Sequence, residues 1–163
     1  MISNFKVLSA EVQTAINMMK EVAEGGRSAG LNVWEDEYLT REKLMVGINE
    51  NDFYVGQVLE DNACCMILQW KDTLFWPEAK EKEAGYIHKL CVRRDYSGLG
   101  LSREMVEFAI EECRRKNVHY LRLDTGWSKK KLCTLYESLG FKLVGKTMLE
   151  ERGEFALFEM KIQ

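Results

Sequence analysis

A chain of 163 residues, 46% of them hydrophobic and 30% charged, is long enough for one globular domain with a sizeable core. Its net charge of −3 argues against general binding to nucleic acid or to an anionic membrane. Two well-separated histidines and five cysteines without a Cys-x-x-Cys pair argue against a metal site. The cysteines read as reduced thiols of a cytoplasmic protein, with Cys91 and Cys113 on core positions. Met1 to Leu8, interrupted by Asn4 and Lys6, is too short for a signal peptide or a membrane span.

In chain order, Phe5-Lys6-Val7-Leu8 reads as a first strand. Ser9 is placed to cap a helix whose Val12, Ala15, Ile16, Met19, Val22 and Ala23 share one apolar face, and Gly25-Gly26 is placed to end it. A loop over 27–39 carries Trp34-Glu35-Asp36-Glu37-Tyr38. Thr40 is the next N-cap, with Leu39 and Leu44 spaced as a hydrophobic staple for a short helix to Ile48. Residues 52–59 and 63–70 read as two strands of a hairpin about Glu60-Asp61-Asn62. A charged loop over 71–83 holds the only proline, Pro77. A strand over 86–92 leads to a helix in which Leu101, Met105, Phe108, Ala109 and Cys113 line one face. Arg103, Glu107, Glu111 and Arg115 line the other, and Asn117 is a left-handed stop. A strand over 119–124, a helix over 129–139 stopped by Gly140, and closing strands over 141–148 and 155–161 complete the chain. The order β-α-α-β-β-β-α-β-α-β-β is that of an α/β chain with a mixed sheet. Antiparallel strands come first, and a strand-helix-strand unit then sets two strands parallel. No repeat or linker interrupts it, so one domain over 1–163 is expected.

The chemistry concentrates where the strand over 86–92 turns into the long helix. A helix's first N–H groups lack intrahelical acceptors and its dipole favours negative charge there, so a glycine turn at that point is suited to an anion. Gly98 and Gly100 allow a phosphate to approach the backbone closely. No Gly-Lys-Ser/Thr follows, which excludes a P-loop, and Arg103 stands where a dinucleotide-binding Gly-x-Gly-x-x-Gly needs its third glycine.

The run Leu90-Cys91-Val92-Arg93-Arg94-Asp95-Tyr96-Ser97-Gly98-Leu99-Gly100-Leu101-Ser102 resembles the coenzyme A loop of the GCN5-related N-acetyltransferases (GNAT). Ser97 stands in place of the family's usual Arg or Gln and Ser102 in place of its final Gly or Ala. Tyr136-Glu137-Ser138-Leu139-Gly140-Phe141 resembles the family's second signature, Tyr-Glu-x-x-Gly-Phe, and the element order matches the family fold over nearly the whole chain. On residue pattern alone Tyr136 is more often a core or interface residue than a catalyst, since Leu132, Leu135, Tyr136 and Leu139 share a helix face.

The resemblance implies a GNAT fold and an enzyme that moves the acetyl group of acetyl-CoA directly to an amine, without a metal. It implies that backbone groups of Leu90, Cys91 and Val92 pair with the pantetheine arm, one N–H polarising the acetyl carbonyl. The pyrophosphate is expected on N–H groups from Ser97 through Gly98, Leu99, Gly100 and Leu101 to Ser102. Tyr136 is expected to donate a proton to the leaving thiolate; a phenol with a pKa of ~10 suits that acid role. Lys129 stands where family members often carry a cofactor-contacting Asn. Arg93, Arg94 or the lysines at 129–131 are the candidates to replace the charge missing at Ser97.

His88, whose imidazole titrates near ~6.5, is the expected general base; period-two alternation puts it on the face of Leu90. Glu37, Glu83, Asp124 and water are the alternatives. The acceptor is read as a small-molecule amine, drawn by Trp34, Glu35 and Glu37 through cation–π and carboxylate contacts. A homodimer is compatible with this reading. The rival reading is a non-catalytic CoA-binding or regulatory module with the same fold.

Overall fold

The computed structural model describes residues 4–31 and 33–163. Met1 to Ser3 of the leader argument and Asn32 of the first loop lie outside the described residues. The elements are β1 (Phe5–Ser9), α1 (Val12–Ser28), α2 (Arg41–Leu44), β2 (Phe53–Val58), β3 (Asp61–Gln69) and β4 (Ala84–Val92), followed by α3 (Leu101–Lys116), β5 (Tyr120–Gly126), α4 (Lys130–Ser138), β6 (Lys142–Leu149) and β7 (Gly153–Lys161). Single 3₁₀ turns occur at Asp36–Tyr38, Glu50–Asp52 and Arg94–Tyr96. Among the described residues the strands form a seven-stranded mixed sheet in the order β1-β2-β3-β4-β5-β7-β6. The expected α/β element order is the observed one.

The chain gathers into two compact units. The first takes the chain up to Leu68 and again Lys89–Met105; the second takes Gln69–His88 and Val106–Gln163. In the first, β1 pairs antiparallel with β2 from Phe5↔Val58 to Ser9↔Tyr54, and β2 pairs antiparallel with β3. Val12, Ala15, Ile16, Met18, Met19 and Ala23 of α1 bury against Phe53, Val55, Cys65, Ile67 and Cys91. Gly56 is required by close approach: a Cβ there would meet Cys64 Sγ at 2.5 Å and the Phe5 ring at 2.8 Å.

Four local expectations need correction. Ser9 ends β1 and caps nothing. Ala10 takes φ 62° and donates to the Phe53 carbonyl, so the chain turns sharply, and Glu11 occupies the N-cap without a side-chain bond. The helix also runs through Gly25-Gly26 to Ser28; Gly26 serves packing, since a Cβ there would lie 2.8 Å from Val33 Cγ2. The hairpin turns at Leu59-Glu60, with φ 49° and 71°, one step before Glu60-Asp61-Asn62. Two left-handed central residues match the strand twist, although neither is the Asn or Gly that usually signals such a turn. Thr40 caps α2 as expected, accepting from the Lys43 N–H at 3.3 Å, but that helix stops at Leu44 short of Ile48.

In the second unit, β4 pairs parallel with β5 from Ala84↔Tyr120 to Ile87↔Leu123. Strand β5 then pairs antiparallel with β7, and β7 with β6. The expected apolar face of α3 is buried at Leu101, Met105, Ala109 and Cys113, and Val106 joins it, while Phe108 is half-buried. Asn117 ends that helix at φ 57°. Helix α4 closes on Gly140 at φ 103°: Gly140 N–H bonds to the Glu137 carbonyl and Phe141 N–H to the Tyr136 carbonyl. That paired closure is a Schellman motif, and it sends the chain back along the helix with Phe141 buried.

Candidate active site

Strand β4 changes character at Lys89, which lies within the strand yet takes φ 55°. A left-handed residue inside a strand breaks the pleat. The parallel register with β5 covers Ala84 to Ile87, so Leu90, Cys91 and Val92 lie beyond it. On its other side this segment stays in the first unit, where the Arg93 N–H bonds to the Ala63 carbonyl at 2.9 Å. The alternation argument linking His88 and Leu90 fails for the same reason, because period two does not carry through a left-handed residue.

The 3₁₀ turn Arg94–Tyr96 leads into the glycines. Ser97 donates its N–H to the Arg94 carbonyl at 3.1 Å, so its backbone donor is engaged within the protein. Gly98 and Gly100 both adopt φ 79°, and a Cβ built on either would have no protein atom within 4 Å. The first backbone bond of α3 runs from the Glu104 N–H to the Gly100 carbonyl. Leu101 is buried, whereas Leu99 is exposed. Of the flanking cations, Arg93 is engaged: Nε donates to Glu21 Oε2 at 2.7 Å, and Nη1 donates to the Asn62 carbonyl at 2.9 Å. Arg94 is exposed.

The loop expected to receive the acceptor is more structural than its sequence implied. Trp34 packs partly buried against the α1 core, and Lys89 Nζ sits 5.2 Å from the centre of its ring. The cation–π contact expected from a substrate amine is therefore made by a lysine of the chain. Asp36 accepts from Arg27 with both carboxylate oxygens at 3.2 Å, and Lys43 lies over Tyr38. Glu35 and Glu37 are exposed.

The second unit brings together His88 and Asp124, which were read separately, and a third ionisable group, Asp72. His88 Nε2 lies 3.4 Å from Asp72 Oδ2, and His88 Nδ1 lies 3.8 Å from Asp124 Oδ1. All three are half-buried or more, and one ligand-type atom from each falls within 4.8 Å of the others. Asp72 comes from the irregular loop before β4, and nothing in the sequence marked it. Glu83, an alternative base, is bound to Arg122 at 2.8 Å, and that hydrogen bond holds its carboxyl below the usual carboxylate range. Arg122 also binds Glu159 at 2.8 Å and lies under the rings of Trp76 and Tyr120. This buried guanidinium was missed too, because an arginine on a strand ordinarily reads as a solvent-facing residue.

Tyr136 is buried in α4, its ring 6.2 Å from Phe141 and 6.0 Å from Phe158. Lys129 precedes that helix, its N–H bonded to the Gly126 carbonyl and its aliphatic stem packed over Gly126. Burial pushes the Lys129 ammonium below its ordinary pKa.

The profile of the acetyltransferase (GNAT) family matches residues 17–141. The chain belongs to that family. It is accordingly an acetyl-CoA-dependent N-acetyltransferase. An uncharacterized N-acetyltransferase of Bacillus subtilis, YesJ, is 23% identical over 93% of this chain and 86% of its own. A GNAT-family acetyltransferase from Listeria monocytogenes superposes with a TM-score of 0.75 at 22% identity, covering 96% of this chain and 94% of that one. The ribosomal-protein-S18-alanine N-acetyltransferase of Escherichia coli superposes at 0.68 and 17% identity, over 98% and 94% of the two chains. No helix among the described residues of this GNAT protein is long and apolar enough to cross a membrane.

Proposed function

We propose that this GNAT protein is a single-domain cytoplasmic enzyme that acetylates the amine of a small molecule. The observation that supports the site assignment is the pair of left-handed glycines, Gly98 and Gly100, open to solvent at the start of a sixteen-residue helix. A cradle that any Cβ would fill fits a pyrophosphate, and the N–H groups from Gly98 to Ser102 are the donors assigned to it. Leu90, Cys91 and Val92, beyond the β5 register, are assigned to the pantetheine arm as an added strand would use them. Arg94 and Lys129 supply positive charge.

Acetyl-CoA brings a thioester carbonyl open to attack and a thiolate leaving group. The chain's part is to polarise that carbonyl with a β4 N–H, to free the amine of its proton, and to return a proton to the sulfur. His88 takes the first proton and the Tyr136 hydroxyl gives the second. Glu35 and Glu37 draw a cationic acceptor, with Trp34 and Lys89 bounding where it rests. Direct transfer is supported by the thiols: burial pushes Cys64 and Cys113 up to about 12, which leaves them poor nucleophiles at neutral pH.

The test is incubation with acetyl-CoA and a panel of amines, following release of free thiol and the mass of the product. Acetylation of small amines is the expected result. Acetyl-CoA binding without transfer to any amine would favour a binding module. Activity confined to protein N-termini would overturn the small-molecule assignment.

A further inference from the structure

Asp72 is held in a strained electrostatic position that its own loop does not explain. Its side chain is only 7% exposed. Oδ1 accepts the N–H groups of Leu74 and Phe75, both at 3.1 Å, so that oxygen organises the turn. Oδ2 is buried, and no hydrogen bond of ordinary geometry reaches it. A buried carboxylate oxygen without a donor is costly unless a proton-bearing group stands close by. The group beside it is His88 Nε2 at 3.4 Å, and the other ring nitrogen faces Asp124 at 3.8 Å.

We infer that Asp72 is a positioning residue for His88. Its Oδ2 holds the ring proton on Nε2 and leaves Nδ1, beside Asp124, as the atom that takes the acceptor's proton. The inference rests on the reading of His88 as the base. In the step itself an N–H bond of the acceptor ammonium breaks and the Nδ1–H bond forms. The amine keeps the electron pair with which it attacks, and the new imidazolium lies between two carboxylates that stabilise its charge. The proton then passes to solvent. Asp72 from the loop before β4 and Asp124 from β5 face the ring. Past Asp72 stands Tyr86 on β4, whose phenol accepts from Arg122 and feels the charge of Asp72. Since one ligand-type atom of each residue lies within 4.8 Å of the others, the same three groups are also close enough to hold a cation, and the test below includes that outcome.

Asp72→Asn keeps an Oδ1 acceptor for Leu74 and Phe75 and removes the charge at Oδ2. The expected result is a ~10–100-fold fall in kcat with acetyl-CoA affinity unchanged. The acidic limb of the kcat/KM profile for the amine should move to lower pH, because losing a carboxylate favours the neutral ring. A rate loss accompanied by lower stability with the limb in place would make Asp72 merely structural, and an unchanged profile would also overturn the role. ¹⁵N NMR of wild-type protein, with His119 assigned through H119Q, gives a reading that needs no variant at Asp72. The neutral His88 ring should carry its proton on Nε2, and a proton on Nδ1 overturns the proposal. Stoichiometric Zn²⁺ binding abolished by Asp72→Asn would make the cluster a metal site and overturn it as well. If His88→Gln removes the limb while Asp72→Asn leaves it, only the role of Asp72 fails. If His88→Gln leaves an active enzyme's profile untouched, the base reading itself is wrong.

Discussion

Arg93 donates twice to Glu21, Nε to Oε2 at 2.7 Å and Nη2 to Oε1 at 3.2 Å, and this pair neutralises a guanidinium that the sequence offered to the glycine turn. On the proposed site, anion binding would then fall to Arg94 and to backbone N–H groups. Arg94→Ala is expected to weaken CoA binding several-fold at low salt, with the difference shrinking as salt screens it. Arg93→Ala is expected to lower Tm and leave CoA affinity near wild type. Calorimetric titration and thermal melts of the two variants decide the matter; equal losses of affinity would return Arg93 to the site.

Gly100 separates two effects that one substitution would confuse. Gly100→Ala keeps the turn small but forces a side-chain residue to φ 79°, which costs on the order of 1 kcal/mol. Gly100→Asn tolerates that conformation better, so it should be the more stable of the two. Both place atoms where the phosphates are assigned, and Gly100→Glu adds a negative charge as well. CoA affinity should therefore fall in the order Ala, Asn, Glu, whereas stability should not follow that order. Affinity that instead tracks stability would place the phosphates elsewhere.

Tyr136→Phe removes one hydroxyl from a ring packed against Phe141 and Phe158, so the fold should survive. Positioned acid–base groups contribute ~10²–10⁴-fold to rate. The expected variant binds acetyl-CoA normally and loses kcat within that range. Full kcat under conditions where chemistry limits the rate would make the ring a packing residue only.

Glu83 gives the protein a predictable response to acid. Its folded-state carboxyl lies below the ordinary ~4.3 because Arg122 donates to it, so unfolding takes up a proton in acid. The contribution is complete above the ordinary carboxylate value and disappears as pH falls through the lowered one. Glu83→Gln should therefore reduce Tm at pH 7 by ~2–4 °C, the shift expected of an ion pair worth ~1 kcal/mol in a chain of this size. Melts between pH 3 and pH 7 should show that gap closing toward the acid end.

Much of this fold was legible because its long elements follow one rule each. The apolar face of α3 and the Tyr136–Phe141 closure depend on spacing and on a glycine, and both came out as read. What was illegible lies where backbone conformation departs from residue preference. Ala10, Leu59, Glu60 and Lys89 are left-handed without being glycine, so no local signal announced the Ser9 turn, the hairpin register or the break in β4. The site divided along the same line. The glycine turn could be found by motif, but Asp72 reaches His88 from an irregular loop, and Arg122 gathers Glu83 and Glu159 from distant parts of the chain. Such pairings are set by tertiary approach and leave no trace in spacing.

The left-handed residue at Lys89 has one further consequence. Sheets ordinarily guard their outer edges with charge, short strands or covering loops, since an unpaired edge recruits other chains. The described pairing of β4 with β5 ends at Ile87, and none of the usual guards lies in Leu90-Cys91-Val92. With the pantetheine arm proposed to pair there, bound co-substrate is expected to cover this segment and to add colloidal stability. Ligand-free protein should thus be the form most prone to self-association, and its shelf life in concentrated solution should lengthen with added coenzyme.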